Sequence, residues 1–206
     1  MTALVVATRN RGKLAELRRL LGEGVELRSL DDVGVSEDLA EPGTTYEENA
    51  RAKAERVRDL TGMPALADDS GIEVPALGGW PGPRSARWMG AAGHAGDRDR
   101  LLGLLARVAA ESPHDRRARY VAAVALARPG APTVVAHGTC EGVLVDTPRG
   151  ERGFGYDPAF LSDDLGVVFG EAADALKDSV SHRARALRAL LATGALDAIS
   201  GGPASS

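Results

Sequence analysis

The chain has 206 residues, of which 44% are hydrophobic and 26% charged, and it carries a formal net charge of −4. At that length roughly 70% of the unfolded surface can be buried, so a real core forms and a soluble globular protein is expected. The acidic balance argues against the broad cationic face that a long nucleic acid requires, and no apolar run approaches the roughly 20 residues of a membrane helix. A small anion that brings its own Mg²⁺ remains open.

Ala3 to Ala7 is a short apolar run read as a strand. Lys13 to Leu21 has apolar positions at helical spacing and is stopped by Gly22. Val25 to Leu30 alternates like a second strand, and Asp31 to Gly43 is an acidic loop punctuated by Pro and Gly. Thr45 and Glu48 form a capping box, which predicts a helix to about Leu60. An apolar strand over Pro64 to Ala67 runs out at Asp68-Asp69-Ser70-Gly71. The prolines and glycines of Gly78 to Pro83 predict an irregular loop, and Asp97 to Ala110 is an amphipathic helix. Tyr120 to Ala127 and Thr133 to Val145 are β-branched apolar runs around Arg128-Pro129-Gly130, which predicts adjacent antiparallel strands. Helical patterns return from Glu171 to Leu191, divided near Ser179 to Ser181. Early alternation of strand and helix followed by paired strands predicts an α/β protein with a mixed sheet.

Thr8-Arg9-Asn10-Arg11-Gly12-Lys13 follows a strand and opens a helix, where unpaired backbone N–H groups and the helix dipole favour an anion such as phosphate. It is not a P-loop, because the first glycine is missing and Leu14 follows the lysine. A solvated basic helix start explains the segment equally well. Asp68 and Asp69 are consecutive, so in a regular strand they face opposite ways and only one reaches a given site; Asp69 is the choice. The competing reading is an Asx-turn. Glu48 is accounted for by its cap, which leaves Glu41 as the carboxylate available to help hold a Mg²⁺. Gly153-Phe154-Gly155-Tyr156-Asp157 combines backbone close approach with aromatics able to stack on a purine, and a Gly/Pro surface turn competes with that reading. Ser181 caps the last helix, followed by His182 and Arg183.

Three of the 25 cationic residues are lysines, and two of them, Lys13 and Lys177, fall in candidate site motifs. The remaining His94, His114 and His137 show no paired metal-ligand spacing with one another or with Cys140, so zinc is not expected. Cys140 is the single cysteine and is expected to pack as a small hydrophobe. With no charged, apolar leader before Ala3, the expected compartment is the reducing cytoplasm.

In order and spacing these blocks resemble the inosine triphosphate pyrophosphatase family, the XTP/dITP diphosphatases. The likeness runs over essentially the whole chain: Thr8 to Lys13, Glu48-Asn49-Ala50, Ala67 to Gly71, Leu77 to Gly82, Ser85-Ala86-Arg87, Gly153 to Pro158 and Ser181 to Arg183. The resemblance implies an elongated α/β fold of two lobes about a long curved mixed sheet with a central substrate cleft. It implies one such domain over residues 1–199; the tail at 200–206, rich in Gly and Ser with nothing to bury, is expected to be disordered on its composition. It further implies a homodimer and Mg²⁺-dependent hydrolysis of a purine nucleoside triphosphate to the monophosphate and pyrophosphate. Carried over by position, Thr8, Arg9, Asn10, Arg11, Gly12, Lys13 and Lys177 hold the triphosphate, and Glu41 and Asp69 the metal. Asp69 is also the general base and Ser70 a substrate contact, while Phe154, Gly155, Tyr156, Asp157, His182 and Arg183 form the base pocket. Two other classes stay open on the residues alone: a phosphatase with an aspartyl nucleophile, which releases orthophosphate, and a non-catalytic nucleotide-binding protein.

Overall fold

The computed structural model describes residues 3–90 and 96–197. The expected disordered tail at 200–206 and His94 lie outside them. Seven strands and five helices are described: β1 (Leu4–Val6), α1 (Arg11–Leu21), β2 (Leu27–Arg28), α2 (Tyr46–Thr61), β3 (Ala65–Val74), β4 (Trp80–Pro81), α3 (Asp97–Glu111), β5 (Arg117–Arg128), β6 (Ala131–Leu144), β7 (Phe160–Ser162), α4 (Asp174–Val180) and α5 (His182–Leu191).

The strands form one mixed sheet in the order β2-β1-β3-β5-β6-β7, with β4 added to β3. β1 runs parallel to β2 (Leu4 opposite Leu27) and to β3 (Val5 opposite Ala65). β4 is antiparallel to β3, and β7 to β6. Two residues join β5 to β6, a link short enough only for an antiparallel pair. The expected α/β class with a mixed sheet is thus observed.

Local chemistry explains most boundaries. Asn10 caps α1 by accepting from Lys13 N–H, and Gly22, at φ 63°, ends it. The predicted Thr45–Glu48 capping box is present at the start of α2, which ends on left-handed Gly62. α4 and α5 divide at Ser181, as the Ser179 to Ser181 break foretold.

Three expectations need correction. β2 covers two residues of the alternating Val25 to Leu30. The Gly78 to Pro83 segment is not wholly irregular, since Trp80 and Pro81 pair with Val74 and Glu73; a proline tolerates the edge of a ladder. Most important, β3 does not run out at Asp68. It continues in extended form through Asp68-Asp69-Ser70-Gly71 to Val74, which removes the Asx-turn reading. Gly71 is required there because a Cβ would run into Ser85 Oγ and the Gly82 carbonyl oxygen. Ser85 in turn accepts from Ile72 N–H at 2.9 Å and donates to Gly82 O at 2.6 Å. Gly71→Ala is therefore expected to cost about 1–3 kcal/mol through overpacking against backbone that cannot yield. The measurement is the urea unfolding midpoint, and an unchanged midpoint would refute the steric argument.

The chain divides into two compact units, each with its own core. One comprises the described residues of Met1–Asp69, Ala122–Gly138 and Arg183–Ser206; the other comprises those of Ser70–Val121 and Thr139–His182. The first core is aliphatic, built on Leu4, Val6, Leu17, Leu66, Val124, Leu126 and Leu187. The second holds Ile72, Leu104 and Val108 together with Tyr120, Tyr156, Phe160 and Phe169. The scarce aromatics are thus concentrated in one unit. Cys140 is buried in that second core, as expected of a small hydrophobe.

Candidate active site

In the first unit, β3 presents Asp68 and Asp69 in succession, and the alternation of a strand sends them to different partners. Asp68 Oδ2 accepts from Arg183 Nε at 3.0 Å and lies 3.2 Å from Lys13 Nζ. Arg183 also pairs through Nη1 with Glu16, which α1 buries one turn beyond Lys13. Burial alone would raise the Asp68 carboxyl, but Lys13, Arg183 and Lys53 outweigh it and hold the group far below the ordinary carboxylate range. Arg183 is pushed the other way, since Asp68 and Glu16 overcome its desolvation. For Lys13 desolvation wins over Asp68, and its pKa falls.

Asp69 has a different set of neighbours. Its Oδ2 accepts from Asn49 Nδ2 at 3.0 Å, and its Oδ1 lies 3.7 Å from Lys53 Nζ. The same ammonium donates to Glu41 Oε1 and to the Asp68 carbonyl oxygen, both at 2.8 Å. Burial raises the Asp69 pKa, and Lys53 and Lys13 only partly offset it. Lys53 shifts upward despite its burial because Asp69, Glu41 and Asp68 surround it.

Glu41 and Asp69 therefore converge on one cation, the Lys53 ammonium. Among the described residues no group of three or more His, Cys, Asp and Glu side chains could hold a metal ion. Two hard carboxylates suit Mg²⁺, which takes one or two carboxylates from a protein and completes its shell with water and phosphate oxygens. The donor set fits the expected metal.

The helix-start motif is divided in its uses. Lys13 joins the buried charges, whereas Asn10 is spent on the cap. Thr8 Oγ1 accepts from Asn10 N–H at 3.2 Å. Arg9 donates to the Val35 carbonyl at 2.7 Å, to the Glu37 carbonyl at 3.2 Å and to Asp31 at 3.2 Å, so it fastens the loop that leads to Glu41. Arg11 and Gly12 form the first turn of α1.

In the second unit, Asp157 is buried and accepts from Phe154 N–H at 2.8 Å, Lys177 Nζ at 2.7 Å and Tyr120 O–H at 3.1 Å. Gly153, at φ 73°, leaves room for that carboxylate. Lys177 lies 5.1 Å from the centroid of the Phe154 ring. His182 stacks on Tyr120 with centroids 4.5 Å apart and planes at 8°. Tyr156 is occupied within the protein, because its hydroxyl donates to Ser85 O and accepts from Trp88 Nε1. Burial pushes its phenol up to about 12. Gly155 N–H donates to Asp97, and Ser70 is half-buried in β3.

The sequence-predicted residues thus gather in two groups. Lys13, Glu41, Asp69 and Arg183 belong to the charged cluster of the first unit, whereas Phe154, Asp157, Lys177 and His182 are linked in the second. Arg183, assigned to the base pocket with His182, shares its carboxylate with Lys13. Five participants were missed: Glu16, Asn49, Lys53, Asp68 as an ion-pair centre, and Tyr120. Lys53 carried a signal as the third of three lysines in an Arg-rich chain, and Asn49 and Asp68 stood in blocks of the resemblance without a role of their own. Tyr120→Phe keeps the ring contacts and removes the donor to Asp157. A bond to a charged acceptor contributes about 1.5–3 kcal/mol, so the variant is expected to unfold at correspondingly lower urea; an unshifted midpoint would deny that bond its role.

A model of the Ham1 family matches residues 4–193. A dITP/XTP pyrophosphatase of Nocardia farcinica is 46% identical over 196 residues, which cover 93% of this chain and 94% of that protein. A HAM1 protein from Coxiella burnetii, 35% identical, superposes with a TM-score of 0.83 over 95% of this chain and 100% of that one. The crystal structure of the nucleoside-triphosphatase or dITP/XTP pyrophosphatase from Mycobacterium abscessus, 43% identical, gives a TM-score of 0.72 over 92% and 98%. Matched in sequence and in fold over most of its length, the chain belongs to the Ham1 family.

Proposed function

We propose that this chain is a Mg²⁺-dependent pyrophosphohydrolase of non-standard purine nucleoside triphosphates, converting ITP, dITP or XTP with water to the monophosphate and pyrophosphate. The relatives named dITP/XTP pyrophosphatase support the reaction. The observation that carries it in this chain is that Glu41 and Asp69 both face one cationic group, the Lys53 ammonium, which brings the two carboxylates to one place. Glu41 and Asp69 would hold the metal, which when bound withdraws charge from the phosphoryl oxygens. Lys13 and the rest of Thr8 to Gly12, with Lys177, take the triphosphate, and Ser70 contacts the substrate.

Asp69 accepts a proton from water as the water oxygen bonds to the α-phosphorus. The α,β-bridging P–O bond breaks, and its electron pair leaves with pyrophosphate. A carboxyl raised by burial is a better base than an ordinary one. Phe154 to Asp157, His182 and Arg183 receive the purine. A 6-oxo group presents an acceptor to their donors, whereas adenine presents an amino group and leaves a donor unpaired. Each such mismatch costs about 1–3 kcal/mol, roughly 5- to 150-fold in rate. The same reading makes the enzyme a cytoplasmic homodimer that cleanses the nucleotide pool. No helix among the described residues is long and apolar enough to cross a membrane.

The test is incubation of ITP, dITP, XTP and the ordinary triphosphates with the protein and Mg²⁺, followed by ³¹P NMR. Monophosphate and pyrophosphate from the 6-oxo substrates are expected. Orthophosphate would instead indicate a phosphatase, intact nucleotide a binding protein, and equal turnover of ATP and ITP would contradict the base pocket.

A further inference from the structure

Asn49 projects from α2 with no exposed surface. The two ends of its amide face two different parts of the candidate metal site. Oδ1 accepts from the Gly43 N–H at 2.8 Å, two residues beyond Glu41 in the loop, and Nδ2 donates to Asp69 Oδ2 at 3.0 Å. Only one orientation of the amide satisfies both partners. A flip would set N–H against N–H at Gly43 and oxygen against carboxylate at Asp69. The fit is tight, since a Cβ on Gly43 would strike Glu48 Cβ and Asn49 Oδ1. The following residues are fastened too, because Glu48 Oε2 accepts from Thr44 N–H at 2.7 Å and Thr45 N–H at 3.2 Å.

We propose that Asn49 is a positioning residue for the metal: it locks the Glu41 loop and the Asp69 carboxylate to one another, holding Asp69 Oδ2 so that Oδ1 faces the cation that Glu41 also meets. Lys53 reports that geometry, with its ammonium on Glu41 Oε1 and near Asp69 Oδ1. Partners that orient metal ligands in this way typically contribute about 10- to 100-fold in metal affinity. The bonds of Asn49 go to the Glu41 loop and to Asp69, so its loss is expected in divalent-cation binding and kcat, with nucleotide KM little changed. The inference rests on the assignment of Glu41 and Asp69 to the metal.

Mn²⁺ binding to the protein, read by electron paramagnetic resonance of free Mn²⁺, tests it on the wild type and on Asn49→Leu, Glu41→Gln and Asp69→Asn, with circular dichroism to verify folding. Asn49→Leu is expected to raise the Kd for Mn²⁺ about 10- to 100-fold. At saturating Mg²⁺ its nucleotide KM should stay within about twofold of the wild type, a split that general loss of structure would not produce. If Asn49→Leu fails to fold, Gly43→Ala, which presses on the same amide without removing it, must weaken Mn²⁺ in the same direction. A Kd within about twofold of the wild type in the folded variant overturns the positioning role while Glu41→Gln and Asp69→Asn still weaken the metal. If those two variants also bind Mn²⁺ normally, the metal assignment falls and takes this inference with it.

Discussion

Replacing Asp69 by asparagine is expected to lower kcat for dITP by about 10²- to 10⁴-fold at saturating Mg²⁺, the usual contribution of a positioned base. At about 1.4 kcal/mol per tenfold, that is roughly 3–5 kcal/mol of barrier. Asparagine has nearly the same volume, so β3 and its neighbours keep their packing. The loss is chemical: an amide takes no proton from water, offers the metal one neutral oxygen, and leaves Lys53 to Glu41 and the Asp68 carbonyl. Steady-state kinetics with Mg²⁺ varied to saturation separates weak metal binding from lost base catalysis. Turnover near the wild-type rate under those conditions would remove Asp69 from the mechanism.

Arg183→Leu carries the largest expected effect on stability. The guanidinium, 1% exposed, neutralises Asp68 and Glu16, which are buried beside it. Removing one partner of a buried pair leaves an uncompensated charge and typically costs about 3–5 kcal/mol. For a chain of this size each kcal/mol lowers Tm by about 2–4 °C, so a fall of roughly 6–20 °C is expected at pH 7. The pH dependence has a definite sign. In the wild type the depressed Asp68 pKa contributes stability that is fully present above the ordinary carboxylate range and is lost only as pH falls well below it. In the variant Asp68 keeps Lys13 and Lys53 but loses one of the cations that depress it, so its pKa rises towards the ordinary carboxylate range and less of that stability remains. The deficit should therefore persist from pH 7 to pH 5 and shrink only as pH falls below the ordinary carboxylate range. A Tm within about 2 °C of the wild type at pH 7 would show that the cluster is not electrostatically coupled to folding.

What the sequence disclosed was local. The caps of α1 and α2, the stop at Gly22 and the break at Ser181 depend on residues within a few positions of one another, and each was read correctly. The Asp68 to Gly71 stretch misled because Asp, Ser and Gly favour turns when isolated. Here tertiary structure prevails: cations on both sides hold the two carboxylates, and Ser85 fills the space above Gly71. Glu16, Asp68 and Arg183 meet across 115 and 167 positions of chain, a separation that leaves no periodic trace. Lys53 lies on an ordinary helix pattern, and only its partners reveal why the residue is a buried lysine. Gly153 makes room for the Asp157 carboxylate, a partner four residues on that the Gly-Phe-Gly pattern does not announce.

Hydrolysis of dITP in ¹⁸O-labelled water, with Mg²⁺ and mass spectrometry of both products, tests the account at its centre. Attack at the α-phosphorus by water activated at Asp69 places one ¹⁸O in the monophosphate and none in pyrophosphate. Label in pyrophosphate, or release of labelled orthophosphate, would contradict it.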